Sequence, residues 1–239
     1  MRIITEIELR DLYKKEPFET YKLPPSVKIT PAGRQFLNDR RIKIIEQDSK
    51  ECKKEGYLIL DTGEMIKEKP EEMTHTKGNS LVLKNDNRIK FRGKIDSFEA
   101  ILIKTITTFR DEGYLGLADD LIIIFEYTKR LLRAEVLDEP LPFIDYKGLT
   151  QDEIREYSHH PEKYLGVKHF VPDPKYGWAM ADINILRTKA RELEIAGIDA
   201  FYNGEKREVE REDIILALNR ISSILYIIMC KYLKGDYDL

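Results

Sequence analysis

From Asp182 to Phe201 the apolar residues Ile183, Leu186, Ala190, Leu193, Gly197 and Ala200 recur at alternating steps of three and four. Ile214, Leu218, Ile221, Leu225 and Ile228 repeat the pattern further on. An α-helix places such a series on one face, so each segment reads as a helix with a core-facing stripe. Two such helices in succession, the first stopped by Asn203-Gly204, commit this part of the chain to a helical bundle. Beside the first stripe lie Arg187, Arg191 and Glu194, spaced i, i+4 and i+7. Beside the second lie Asn219, Ser222, Ser223 and Tyr226. Polar groups next to a buried face must be paired or must bind something, and two guanidiniums there offer a clamp for an anion.

The remaining pattern gives a mainly α protein: an up-down bundle of about five helices over residues 71–239, preceded by a small α+β section over residues 1–70. Helices are expected near 95–112, 117–137, 150–158, 178–202 and 209–233. Gly113 stops the first, and Thr150 with Glu153 starts the third through a capping box. In the N-terminal section Thr5 and Glu8 form another capping box for a helix to about Lys14. Thr30-Pro31 starts a second helix as N-cap and first helical residue, ending near Arg40. Ile42–Ile45 and Tyr57–Leu60 read as strands. The charged run from Lys67 to Glu72, with Pro70, reads as the boundary, and Thr74 to Gly93 as a loop.

With 239 residues, 42% of them apolar, the chain can bury a substantial core. A net charge of −3 with Lys and Arg scattered argues against nucleic acid or an anionic membrane as partner. Cys52 and Cys230 lie far apart, which indicates neither a disulfide framework nor a cysteine zinc site and fits a reducing cytoplasm. The start turns acidic at Glu6 and shows no secretory signal. Apolar runs such as Leu121–Phe125 and Ile224–Cys230 are too short to span a bilayer. His159, His160 and His169 share a segment with prolines and tyrosines. They read as packing or hydrogen-bonding residues, with no metal ligand assigned. Trp178 reads as a packing anchor.

Several short motifs occur in a recognisable order. They are Met73-Thr74-His75, the run from Lys84 through Arg92-Gly93-Lys94-Ile95-Asp96, Arg133-Ala134-Glu135, Ser158-His159-His160-Pro161, Leu186-Arg187-Thr188 and Leu218-Asn219-Arg220-Ile221-Ser222-Ser223. Together they resemble the ethanolamine-utilisation type of ATP:cob(I)alamin adenosyltransferase. Ile4-Thr5-Glu6 and Ile29-Thr30-Pro31-Ala32 look like that type's opening, and the bundle is similar to the propanediol-utilisation type. The resemblance implies ATP, Mg2+ and cobalamin as the cofactors and substrates, and transfer of the 5′-deoxyadenosyl group to cobalt. Because the reduced corrinoid is itself the nucleophile, the protein has only to position the reactants, hold the phosphates and exclude water.

Carried over by position, the resemblance implies catalytic roles for Arg191, Glu194 and Asn219, which match positions that hold phosphate, metal and nucleoside. Thr74, Thr76, Lys77, Gly78 and Asn79 match a phosphate-facing loop and Lys84 the lysine after it. Arg187 and Arg220 match ligand-binding positions, and Asp96 matches an aspartate that pairs with the arginine equivalent to Arg187 across a subunit interface. Phe170 matches the segment bordering the corrin, where an apolar side chain displaces cobalt's lower ligand. Two departures stand out: Glu192 replaces a second arginine of the broader family, and Ser223 replaces an aspartate. The CCxxC cluster of some ethanolamine-type members is absent.

The resemblance also implies a homo-oligomer, a trimer by analogy or else a dimer, with a cobalamin reductase or a bacterial microcompartment as further partners. Two other functional readings compete with catalysis. One is a non-catalytic corrinoid-binding or delivery protein, motivated by Glu192 and the short loop. The other is a microcompartment assembly module built on the N-terminal section.

Overall fold

The computed structural model describes residues 2–23, 27–46 and 56–237, which fall into two compact units dividing after Gly56. Cys52 lies outside the described residues.

The first unit is two strand–helix–strand units in succession: β1 (Arg2–Ile4), α1 (Glu6–Lys15), β2 (Thr20–Leu23), then β3 (Val27–Ile29), α2 (Pro31–Asp39) and β4 (Lys43–Glu46). Both helix starts match the sequence reading. The Thr5–Glu8 capping box is closed in both directions, and Thr30 caps α2 ahead of Pro31. β1 runs parallel to β3 and β2 parallel to β4, with the two helices packed together over a core of Ile4, Leu9, Leu23, Ile29, Phe36, Leu37 and Ile42.

The second unit begins with a small sheet of β5 (Tyr57–Ile59), β6 (Met65–Ile66), β7 (Met73–His75) and β8 (Ser80–Leu83), in the order β6-β5-β8-β7. The division of the chain therefore falls at Gly56 and not in the charged run near residue 70. The reason is pairing: Leu58 and Ile59 run parallel to Ser80 and Leu81, which ties residues 57–66 to β8 and the bundle side of the chain. The stretch read as a loop, Thr74 to Gly93, is also ordered. β7 and β8 form an antiparallel hairpin with Thr74 opposite Val82, and α3 (Asn87–Asp111) starts at an N-cap on Asp86. The apolar run Leu81-Val82-Leu83 is only three residues long, too short to stand out from the surrounding charge.

The bundle is made of α3, α4 (Leu115–Leu137), α5 (Gln151–His159), a short α6 (Pro161–Leu165), α7 (Gly177–Phe201), a hairpin of β9 (Tyr202–Asn203) with β10 (Glu208–Val209), and α8 (Glu212–Lys234). α3 packs on α4 and α7, α7 on α8, and α5 covers α8. The predicted stripes are the core. Ile183, Leu186, Leu193, Ile214, Leu218, Ile221, Leu225 and Ile228 are all fully buried, each fully buried side chain of this kind contributing about 1.5–3 kcal/mol. Trp178 packs on Phe109 and Tyr114. As a whole helix α8 is long and apolar enough to cross a bilayer, although its uninterrupted runs are not. Its apolar side chains instead form the centre of the bundle.

Two features fix α7 against α8. Their connection is the tight β9–β10 hairpin, which makes them antiparallel neighbours, and Gly197 lets them approach closely. A Cβ on Gly197 would sit 2.7 Å from Leu218 Cδ1 and 3.3 Å from Ile215 and Phe91 side-chain atoms. At the far end of the bundle the buried carboxylate of Asp120 takes the phenols of Tyr146 and Tyr237 and an ion pair from Lys147, anchoring the C-terminal turn to α4.

Arg92 ties the β7–β8 hairpin to the bundle. Arg92 on α3 donates to both carboxylate oxygens of buried Glu135 on α4, at 2.5 and 3.2 Å. The same guanidinium donates to the carbonyls of His75 and Thr76 at 3.3 and 3.0 Å. Removing Glu135 leaves a half-buried cation without its acid, so Glu135→Ala should cost about 3 kcal/mol. Lys77→Ala, which breaks an exposed pair with Asp138, should leave the stability nearly unchanged. Denaturant unfolding of the two variants, with amide exchange at residues 73–83, checks this. Equal stabilities would show that Arg92 does not clamp the hairpin.

Candidate active site

The antiparallel pairing of α7 and α8 brings the two polar stripes face to face. Glu194 Oε1 accepts from Asn219 Nδ2 at 2.9 Å, and the Arg187 guanidinium lies 5.3 Å from the centre of the Tyr226 ring. Ser222 and Ser223, between those levels, turn their hydroxyls back to the Asn219 carbonyl, as helical serines do. A cavity of about 620 Å³ opens on this seam, in the range of small-molecule sites. On α7 and α8 it is lined by Arg187, Arg191, Glu194, Asn219 and Tyr226, and on the facing side, called the rim below, by Ser158 and His159 from α5 with His169 and Phe170 from the segment before α7.

The electrostatics are unbalanced. Among the described residues, no carboxylate lies within ion-pair distance of Arg187 or Arg191. Burial, together with the like charge of Arg191, lowers the Arg187 guanidinium from its ordinary value. Among the described residues, Glu194 is engaged through one oxygen only. Arg220, directly after Asn219, is 8% exposed and does not line the cavity; its Nη1 donates to Asn219 Oδ1 at 2.8 Å while its Nε is buried without a partner. Arg220 thereby fixes which end of the Asn219 amide faces Glu194, the oxygen being held by one cation and the NH2 turned to the carboxylate.

The rim is held through Tyr226. His169 Nδ1 meets the Tyr226 hydroxyl at 3.0 Å and its Nε2 meets the His159 carbonyl at 2.9 Å. A carbonyl only accepts, so Nε2 carries a proton, and in the neutral imidazole Nδ1 then accepts from the phenol. Phe170 stacks on the same ring, 5.7 Å between centres and 17° between planes.

The structure brings together Arg187, Arg191, Glu194, Asn219 and Phe170, with Arg220 behind them. It does not bring the hairpin residues to that cavity within one chain. Thr74, Lys77, Gly78, Asn79 and Lys84 line no part of it; Lys77 pairs with Asp138, and Thr76 is buried under Arg92 beside a separate pocket. Lys84 is exposed, and its backbone N–H donates to the Glu72 carbonyl. Glu192 turns to Lys189 at 2.8 Å and Lys94 at 3.5 Å, away from the cavity lining. Tyr226 and His169 stand out as site residues that the motifs do not assign. The spacing of Tyr226 from Asn219, Ser222 and Ser223 is the signal in the sequence that points to it.

Residues 65–232 match the sequence model of the family described as cobalamin adenosyltransferase. The chain belongs to the cobalamin adenosyltransferase family. It is 31% identical over 251 aligned positions to the corrinoid adenosyltransferase EutT of Salmonella typhimurium, covering 95% of this chain and 90% of that protein. It is 30% identical to the EutT of Escherichia coli K12 over the same shares of both chains. No solved structure matches it. The family match starts inside the β5–β8 sheet and ends in α8, so it contains every element that builds the cavity, while the relatives also cover the N-terminal unit.

Proposed function

We propose that this adenosyltransferase works at the α7–α8 cavity, transferring the 5′-deoxyadenosyl group of ATP to cob(I)alamin. What supports this reading is the pair of guanidiniums without counter-ions in a cavity that also presents an oriented carboxylate and amide. A polyphosphate relieves the repulsion between Arg187 and Arg191 and supplies the acid that neither has. Arg191 and Arg187 take the phosphates, Glu194 faces the metal carried by them, and Asn219, steadied by Arg220, takes the nucleoside. Glu194 fits Mg2+, which is commonly held by one or two carboxylates plus substrate phosphates; Mg2+ bound there would offset charge on the leaving triphosphate.

In the reaction the cobalt(I) lone pair attacks C5′ of ATP and a cobalt–carbon bond forms. The C5′–O bond breaks, and its electrons leave with the triphosphate. No protein nucleophile is required, and the side chains contribute placement and fixed charge where negative charge develops. The cavity suits the nucleotide, leaving the corrin at its mouth, where Phe170 on the rim is the candidate for displacing the lower cobalt ligand. Because the corrinoid must arrive as cob(I)alamin, a cobalamin reductase is the proposed partner. The cytoplasm is the proposed location, with a microcompartment as the alternative.

The hairpin residues Thr74, Thr76, Lys77, Gly78, Asn79 and Lys84 have a role only if they reach the site of a neighbour. Asp96 on α3 has no ion-pair partner among the described residues, which leaves it free for the Arg187 of another copy. Both features suit a head-to-tail ring, a homotrimer, with a dimer as the alternative.

Replacing Arg191 or Asn219 by Ala should remove roughly 2–4 kcal/mol of transition-state stabilisation, about 30- to 900-fold in turnover, in proteins that keep wild-type circular dichroism. Adenosylcobalamin formation under strong reduction measures this, and near-normal kcat/KM in both variants would put the site elsewhere. Light scattering should find the wild-type protein assembled and Arg187→Ala assembling more weakly; a fully active monomer would contradict the shared site.

A further inference from the structure

Tyr226 touches both halves of the cavity. One face of its ring is 5.3 Å from the Arg187 guanidinium, a distance at which the ring quadrupole attracts the cation. The ring also stacks on Phe170, and its hydroxyl donates to His169, whose other nitrogen closes the rim segment onto the His159 carbonyl. The ring is half-buried on α8, one of the best-packed helices of the bundle, so its backbone is fixed and only its side-chain torsions are free.

We infer that Tyr226 is a positioning residue that couples the nucleotide end of the cavity to its corrinoid rim, so that each substrate tightens the binding of the other. The inference rests on the reading that Arg187 serves the phosphates and the His169–Phe170 rim borders the corrin. Both ends share one part. A phosphate that fixes Arg187 over the ring also fixes the ring, and the fixed ring is the surface on which Phe170 stacks and to which His169 bonds. A rim already seated is competent for the second ligand, whereas a rim that is seated only part of the time lowers apparent affinity by that fraction. Linkage requires the effect to be equal in both directions. Neither Arg187 nor Phe170 touches the other's ligand in this scheme, so the coupling runs through Tyr226.

The test uses the full chain and a pair of ligands that does not turn over. MgATP is titrated calorimetrically, and cob(II)alamin by its absorbance and electron paramagnetic resonance spectra, each alone and at saturation of the other. Wild type should show a coupling factor of about tenfold, equal in both directions. Tyr226→Phe keeps the ring over Arg187 and against Phe170 but loses the bond to His169, and should retain about a third of that factor. Tyr226→Leu should bind each ligand singly with a coupling factor near one. A general loss of structure cannot mimic this pattern, because single-ligand binding is the internal control and Tyr226→Phe changes one hydroxyl. Wild-type coupling retained in Tyr226→Leu, or none in the wild type, overturns the inference and leaves the site reading standing. MgATP affinity unchanged in Arg187→Ala and Arg191→Ala overturns the site reading and the inference with it.

Discussion

The antiparallel packing of α7 on α8 is the constraint on which the rest depends. Apolar stripes on each helix hold the pair together, and Gly197 sets how close they come. Because each polar stripe runs beside its core stripe, the same packing that buries Leu193 and Leu218 also sets Glu194 against Asn219 and Arg187 against Tyr226. The site is thus a by-product of core geometry in the literal sense: no loop has to fold correctly for these charged and polar groups to meet. Loops enter only at the rim.

That arrangement leaves charge unsatisfied. Two other largely buried arginines of this protein are paired with acids, Arg92 with Glu135 and Arg211 with Asp213. On the seam two guanidiniums share a cavity with a single carboxylate already bonded to an amide, and Arg220 is buried behind them with an unpartnered Nε. The contrast within one molecule is the strongest structural support for an anionic ligand.

Much of this is legible in the sequence, for identifiable reasons. Long helices with unbroken three-four spacing announce themselves, and caps such as Thr150–Glu153 repeat a local chemistry that needs no tertiary context. Arg187, Arg191, Glu194 and Asn219 are legible because helical spacing alone puts them on a stripe. The hairpin at 73–83 is not, since its strands are three and four residues long and the Arg92 clamp that holds them depends on contacts 16 to 43 residues apart. The division at Gly56 is hidden for the same reason, a parallel pairing between β5 and β8 that no local pattern reports. The motifs place Arg220 among the ligand-binding groups, and its position behind Asn219 shows that adjacent helical residues point to different sides.

Where the nucleotide binds decides the functional reading. A crystal structure of the protein with MgATP and cob(II)alamin tests it most directly. The triphosphate should lie against Arg187 and Arg191, the ribose or base within hydrogen-bond distance of Asn219, and the corrin over Phe170. A nucleotide bound away from the α7–α8 seam, with Arg187 and Arg191 left as they stand here, would contradict it.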